Sequence, residues 1–226
     1  MSVVYAIILG MEKKRGLLIT FEGSDGAGKS TQIQLLQEYL REKGYQVIIS
    51  REPGGTVIGE RIREILKNPD FQEMSPVAEA LLFAASRSQH VAEVVRPALE
   101  KGYIVLLDRY IDSSLAYQGF ARGLGWKKVM EMNDWATGGL LPDLTFFLFL
   151  GGGMGLKRKE EYPTDRFEGG GVELQERVIQ GYRELARLYP QRIVTLDATM
   201  KTQDIFGMVK EKVEERIRQK GLTSET

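Results

Sequence analysis

The sequence predicts a three-layer α/β fold, a five-stranded parallel sheet flanked on both faces by helices. Three observations carry the prediction. Five short apolar runs (residues 17–21, 47–49, 103–107, 144–150 and 192–196) alternate with helical patterns, the order that produces a doubly wound sheet. The runs are continuous rather than alternating, as expected of parallel strands covered on both faces. The first run, Leu17-Leu18-Ile19-Thr20-Phe21, stops at Gly23 and passes through a glycine-rich turn into an amphipathic helix.

The elements follow in order. Residues 1–10, MSVVYAIILG, are apolar but far too short to span a bilayer, and they lack a basic front and a small-residue cleavage site. A second methionine, Met11, precedes the first strand. The segment is an upstream-start leader or an added edge strand, with the leader preferred, so the chain divides into a leader (1–15) and one domain (16–226). A helix runs from Lys29 to about Lys43, with Gly44 as its C-terminal cap. Val47-Ile48-Ile49 is a short buried strand, and Arg51 to Thr56 a turn cluster before a helix near Val57–Leu66. Ser75 to Glu100 is a long helical pattern whose apolar side is Val77, Leu81, Leu82, Ala85, Val91, Val94 and Val95. Pro76 suits its first turn, and Pro97 kinks or restarts it. The strand at Tyr103–Leu107 ends in Asp108-Arg109-Tyr110. Strands at Leu144–Leu150 and Arg192–Leu196 follow, and Asp204–Gln219 is a closing amphipathic helix.

Composition bounds the function. A chain of 226 residues suits one α/β domain. Lys+Arg and Asp+Glu balance at 31 each, which argues against a broad nucleic-acid or acidic-membrane surface. The absence of cysteine excludes disulfides and thiolate chemistry, and a single histidine, His90, leaves little scope for zinc. A cytoplasmic protein is expected.

Gly23, Gly28, Lys29 and Ser30 fit G-x-x-x-x-G-K-[ST] between a strand and a helix, the setting that makes this pattern meaningful. Glycines let backbone N–H groups converge on an anion, and the helix N-terminus adds partial positive charge. Gly23, Ser24, Asp25, Gly26, Ala27, Gly28, Lys29, Ser30 and Thr31 are therefore the expected triphosphate cradle. Lys29 reaches the β and γ phosphates, and the Ser30 hydroxyl is a Mg²⁺ ligand. Asp25 is awkward in an anion-binding loop; it is a turn-forming residue, or a carboxylate acting on Mg²⁺ or the acceptor. Asp108 is a strand-end carboxylate suited to Mg²⁺, and Arg109 can clamp a phosphate with its planar fork. The bland alternative is a structural ion pair.

Arg51 at the start of Glu52-Pro53-Gly54-Gly55-Thr56 pairs a cation with a rigid turn. Phe83 and Arg87 stand four apart on one helix face, fit either to stack on a base and bond its edge or to serve as a core Phe and a surface Arg. Residues 151–171 form a basic segment between glycine triplets, including Lys157, Arg158, Lys159 and Arg166. It is a mobile lid carrying arginines to a transferring phosphoryl group, or a plain solvated loop.

Taken together, these residues resemble the thymidylate kinases, nucleoside-monophosphate kinases that phosphorylate dTMP. The resemblance runs from about Gly16 to Glu215. It rests on Phe21-Glu22-Gly23 entering the P-loop, Arg51 to Thr56, and Leu82-Phe83-Ala84 with Arg87. Asp108-Arg109-Tyr110 with Ser113-Ser114 and Ala116-Tyr117-Gln118-Gly119 carries it most strongly, and Asp165-Arg166-Phe167-Glu168 is similar to the family's lid signature. It implies a three-layer P-loop NTPase fold with a mobile lid (151–171). The implied reaction is ATP- and Mg²⁺-dependent conversion of dTMP to dTDP by a homodimer whose long helices pack together. It implies that Asp25 acts near the acceptor phosphate and that Arg51 and Arg109 grip that phosphate. Phe83 would stack on thymine, Arg87 would bond its edge, and Ser114, Tyr117 and Gln118 would line the pocket. Gly26 stands where some members place an arginine, so a lid arginine, Arg158 or Arg166, would supply the catalytic cation. The chain departs from the family at Gly151-Gly152-Gly153 and Gly169-Gly170-Gly171, which should loosen the lid hinges. Two rivals remain: a kinase of another monophosphate or a nucleoside, and a P-loop switch that binds nucleotide to change partners.

Overall fold

The computed structural model describes residues 15–150 and 171–224. The expected leader and lid, with Arg158 and Arg166, lie outside the described residues apart from Arg15 and Gly171. The strands are β1 (Leu17–Gly23), β2 (Val47–Arg51), β3 (Ile104–Asp108), β4 (Leu144–Phe149) and β5 (Ile193–Asp197). They form one parallel sheet in the order β2-β3-β1-β4-β5, so the five expected strands all form.

The first strand is central and wholly buried, and its two faces differ. Leu17, Ile19 and Phe21 pack with Ile33, Leu36 and Leu40 of α1 (Lys29–Glu42) and Val209 and Val213 of α8 (Thr202–Lys220). The opposite face carries Leu18, Thr20 and Glu22. Leu18 joins a second apolar cluster with Val105, Leu107, Leu115, Val178 and Leu185. Thr20 shares a 2.8 Å hydroxyl hydrogen bond with Thr145. Continuous burial of both faces explains why strand periodicity is absent from the sequence. The helix α1 ends at Gly44, φ 82°, with Tyr45 N–H donating to Leu40 O, the expected glycine termination.

The helix α2 (Val57–Lys67) is capped by the Thr56 hydroxyl, which accepts from Gly59 N–H. The expected long helix is three pieces: α3 (Pro76–His90), a π-helical turn at Val91–Val95, and α4 (Arg96–Glu100) with Pro97 in its first turn. Its apolar side is corrected by the structure. Val91 and Val95 are buried, but Val77 and Leu81 are 52% and 53% exposed and Ala85 is exposed. The inward face of α3 is Glu79, Ala80, Ala84, Ser86, Arg87 and His90. Small alanines allow close approach there, and the polar side chains are buried because each finds a hydrogen-bond partner, a pattern that apolar periodicity cannot detect.

Three further stretches fold as helix without having been expected: α5 (Ile111–Ser114) with its π-helical continuation Leu115–Ala121, α6 (Trp126–Thr137) and α7 (Gly171–Leu188). They cover the sheet face opposite α1, and Leu174, Val178, Tyr182 and Leu185 turn inward from α7. No helix among the described residues is long and apolar enough to cross a membrane.

Candidate active site

Parallel pairing brings the ends of three strands into one row. Asp108 stands level with Phe21 of β1 and with Arg51 of β2. Ligands in open α/β sheets bind beyond these carboxyl ends.

The phosphate loop leaves β1 through Gly23, φ 127°, where an added Cβ would lie 2.3 Å from Leu148 O. Gly28, φ 93°, is the N-cap of α1 and offers no side-chain cap, so the first N–H groups of the helix are left to an external acceptor. Lys29 folds over the loop, only 6% exposed, and Nζ donates to Gly23 O at 3.2 Å and Ser24 O at 3.1 Å. Asp25 Oδ1 lies 3.6 Å from Nζ and Asp108 Oδ1 3.9 Å. Burial, followed by the Arg109 charge, lowers the Lys29 ammonium to about 8, with Asp108, Asp25 and Glu22 opposing.

Asp25 is paired rather than isolated. Arg109 Nη2 donates to its Oδ1 at 2.8 Å, while Arg109 Nη1 donates to Ser113 Oγ at 3.2 Å. The Arg109 guanidinium also lies over the Tyr117 ring, 5.5 Å from its centroid. Beneath it Glu22 is fully buried, accepting from Tyr110 N–H at 2.8 Å, Ser113 Oγ at 2.6 Å and Tyr182 OH at 2.9 Å. Burial, then the Asp112 charge, pushes the Glu22 carboxyl up to about 7 against the two hydroxyls and Arg109.

Several of these groups rim an open cleft, lined by Asp25, Arg51, Phe83, Asp108, Arg109, Ser113, Ser114, Tyr117 and Gln118 with Glu52, Pro53, Arg63 and Lys67. All the expected acceptor-side residues except Arg87 line it. Arg51 is held bidentately by Glu60, at 2.8 and 3.2 Å, and Gly55 N–H donates to the same carboxylate.

Arg87 and Phe83 reverse the bland expectation of a core Phe and a surface Arg. Phe83 is half-buried on the cleft wall, while Arg87 is 1% exposed behind it. Arg87 donates to Glu52 Oε2 (2.7 Å), Ser114 Oγ (2.9 Å), Tyr110 O (3.0 Å) and Asn133 Oδ1. His90 joins this network, bonded to Glu52 Oε1 at 3.0 Å and Ser50 Oγ at 2.8 Å. Sequence reasoning assigned no role to Arg63, Lys67, Glu52 or Glu22. The i, i+4 spacing of Arg63 and Lys67 was a usable sign of two cations on one helix face; nothing local marks Glu52 or Glu22 as buried.

Asp108 Oδ1 bears on the metal question. It is buried and has no hydrogen-bond partner among the described residues, and Asp108 and Ser30 line a common opening. One carboxylate and one hydroxyl beside substrate phosphates is a donor set that suits Mg²⁺, which keeps several waters.

A family model described as thymidylate kinase matches residues 21–209. The chain belongs to the thymidylate kinase family. It is 47% identical over 208 residues to the thymidylate kinase of an Exiguobacterium species, covering 92% of this chain and 98% of that one. With the thymidylate kinase of Caldanaerobacter subterraneus subsp. tengcongensis it shares 44% over 204 residues, covering 90% and 98%. The crystal structure of thymidylate kinase from Ehrlichia chaffeensis superposes with a TM-score of 0.72 at 30% identity, over 88% of this chain and 99% of that one. The fold expected from the sequence is thus that of a thymidylate kinase, with a parallel sheet whose strand ends carry the phosphate loop.

Proposed function

We propose that this chain transfers the γ-phosphoryl group of ATP to dTMP, giving dTDP and ADP. One observation supports this reading above the rest: the phosphate loop, Arg51 and Arg109 meet at one sheet edge, beside a cleft walled by Phe83, Ser114, Tyr117 and Gln118. A triphosphate on residues 23–31 would thus face an acceptor that already carries phosphate.

The acceptor phosphate oxygen attacks the γ-phosphorus in line. A new O–P bond forms as the bond to the β,γ-bridging oxygen breaks, and no covalent enzyme intermediate is needed. The protein contributes positioning and charge. Lys29 leaves its two loop carbonyls for the β and γ phosphates. Arg51 and Arg109 hold the acceptor phosphate, and Asp25 orients Arg109. Phe83 stacks on the base, Tyr117 crowds the sugar, and Arg87 reaches the base edge through Ser114. Ser30 and Asp108 would hold Mg²⁺, which when bound neutralises phosphate oxygens. Because Gly26 places no side chain in the loop, Arg158 or Arg166 is assigned the remaining catalytic cation. A homodimer formed through α3 is part of the proposal, supported by the exposed Val77 and Leu81, as is work on the nucleotides of the cytoplasm.

The test is ADP release from ATP and Mg²⁺ across dTMP, dUMP, UMP, CMP, AMP and GMP. A clear preference for dTMP is expected; preference for CMP or AMP refutes the reading. Tight ATP binding with no monophosphate turnover would return the chain to the nucleotide-switch class.

A further inference from the structure

Two polar groups on the cleft wall have their hydrogen-bonding polarity set from behind. Ser114 and Gln118 stand four residues apart where α5 passes into its π-helical continuation, and both line the cleft. Gln118 Nε2 donates to Glu79 Oε1 at 2.8 Å. Glu79 is 1% exposed, and Arg122 Nη2 stands 3.4 Å from its other oxygen. A carboxylate beside an arginine accepts and does not donate. The amide nitrogen of Gln118 must therefore face Glu79, which turns the amide oxygen away from it. That oxygen is not among the buried side-chain atoms lacking a partner, and no described residue donates to it, so it is open to the cleft.

Ser114 is constrained in the opposite sense. Arg87 Nη1 donates to Ser114 Oγ at 2.9 Å. Arginine has no acceptor, so the hydroxyl accepts there and keeps its own proton to donate. The wall thus presents a donor at Ser114 and an acceptor at Gln118. A 4-oxo pyrimidine offers the complement, an O4 acceptor beside an N3–H donor. A 4-amino pyrimidine offers the reverse, an exocyclic amine donor beside an N3 acceptor, and meets a like group at both points.

We propose that buried Glu79 is a specificity-determining positioning residue: by holding the Gln118 amide in one orientation, it makes the site accept 4-oxo and reject 4-amino pyrimidine monophosphates. The proposal rests on the functional reading above. It gives α3 a part in base selection through a residue that does not touch the ligand.

The experiment uses Glu79→Gln in the full chain with ATP and Mg²⁺, measuring kcat/KM for dTMP, dUMP and dCMP. A glutamine at this position can accept or donate, so the Gln118 amide is released to turn over. The dTMP-to-dCMP ratio is expected to fall by roughly tenfold or more while the dTMP-to-dUMP ratio stays within about twofold, since both of those bases carry the same edge. Equal losses on all three substrates would mean that Glu79 only supports the fold, and would overturn the proposal. If the unsubstituted chain phosphorylates no pyrimidine monophosphate, the functional reading itself fails, a result distinct from an unchanged ratio. A second measurement does not depend on the variant folding. In the isotope-labelled unsubstituted chain, the Gln118 side-chain NH₂ protons should stay protected from solvent exchange when dTMP binds. Loss of that protection, with the nitrogen turned onto the base, overturns the proposal.

Discussion

Arg109 holds a left-handed backbone conformation, φ 70°, the one non-glycine among the described residues with positive φ. Such strain, of order 1–3 kcal/mol, persists where the surroundings over-determine it. Here the Arg109 N–H is tied to Phe21 O at 3.0 Å, and the guanidinium to Asp25, Ser113 and the Tyr117 ring. The strain directs a strand-end arginine back across the phosphate loop. Arg109→Ala is expected to lower kcat/KM for dTMP by at least about a hundredfold, with a large part of the loss in kcat because the cation acts on developing charge. Near-normal kinetics in that variant would sink the assignment. Lys29 makes a second prediction. Burial, then the Arg109 charge, lowers its pKa to about 8, and the ammonium is the form that grips phosphate. In the free enzyme the charge is therefore lost as pH rises through about 8, and kcat/KM for ATP should fall there. Bound phosphates favour the charged form, so the alkaline limb of kcat should lie higher. Coincident limbs in the two profiles would contradict this account.

Helix α3 carries different tasks on its two sides. Inward, Ser86 Oγ accepts from Gly54 N–H, and Arg87 and His90 hold the two oxygens of Glu52. The turn that projects Arg51 is thus fastened to the helix that bears Phe83. Outward, Val77, Leu81 and Ala85 repeat at i, i+4 and i+8 without cover from the described residues. Neighbouring α2 exposes Val57, Ile58 and Ile65 as well. Exposed apolar surface of this kind marks an interaction face, and a second copy of the same helix completes it in the proposed homodimer. Leu81→Glu is expected to convert a dimer to a monomer at micromolar concentration, measured by light scattering after gel filtration. A monomeric unsubstituted chain, or a variant that remains dimeric, would remove this face from the interface.

Across the whole molecule, legibility followed the range of the interactions. Fold class, the five strands and the phosphate loop were readable because they are written locally, in apolar runs and glycine spacing. The helices at 111–121, 126–137 and 171–188 were not expected, although Leu174, Val178, Tyr182 and Leu185 recur at helical intervals. The apolar side of α3 was misassigned at Val77, Leu81 and Ala85, because polar residues fill its inner face through hydrogen bonds to chain dozens of residues away. The resemblance to thymidylate kinases assigned Arg51, Phe83, Ser114, Tyr117 and Gln118 to the acceptor pocket, and all five line the cleft, but it could not tell that Arg87 stands behind the wall. By itself the sequence determined the sheet, the triphosphate loop and the kinship with thymidylate kinases, since backbone patterning and the glycine–lysine motif act within a few residues. Only the tertiary structure decided that Asp25 pairs with Arg109, that Glu60 holds Arg51, and that Glu79 and Arg87 set the polarity of the cleft wall. Those relations depend on distances between side chains far apart in the chain, and packing alone sets such distances.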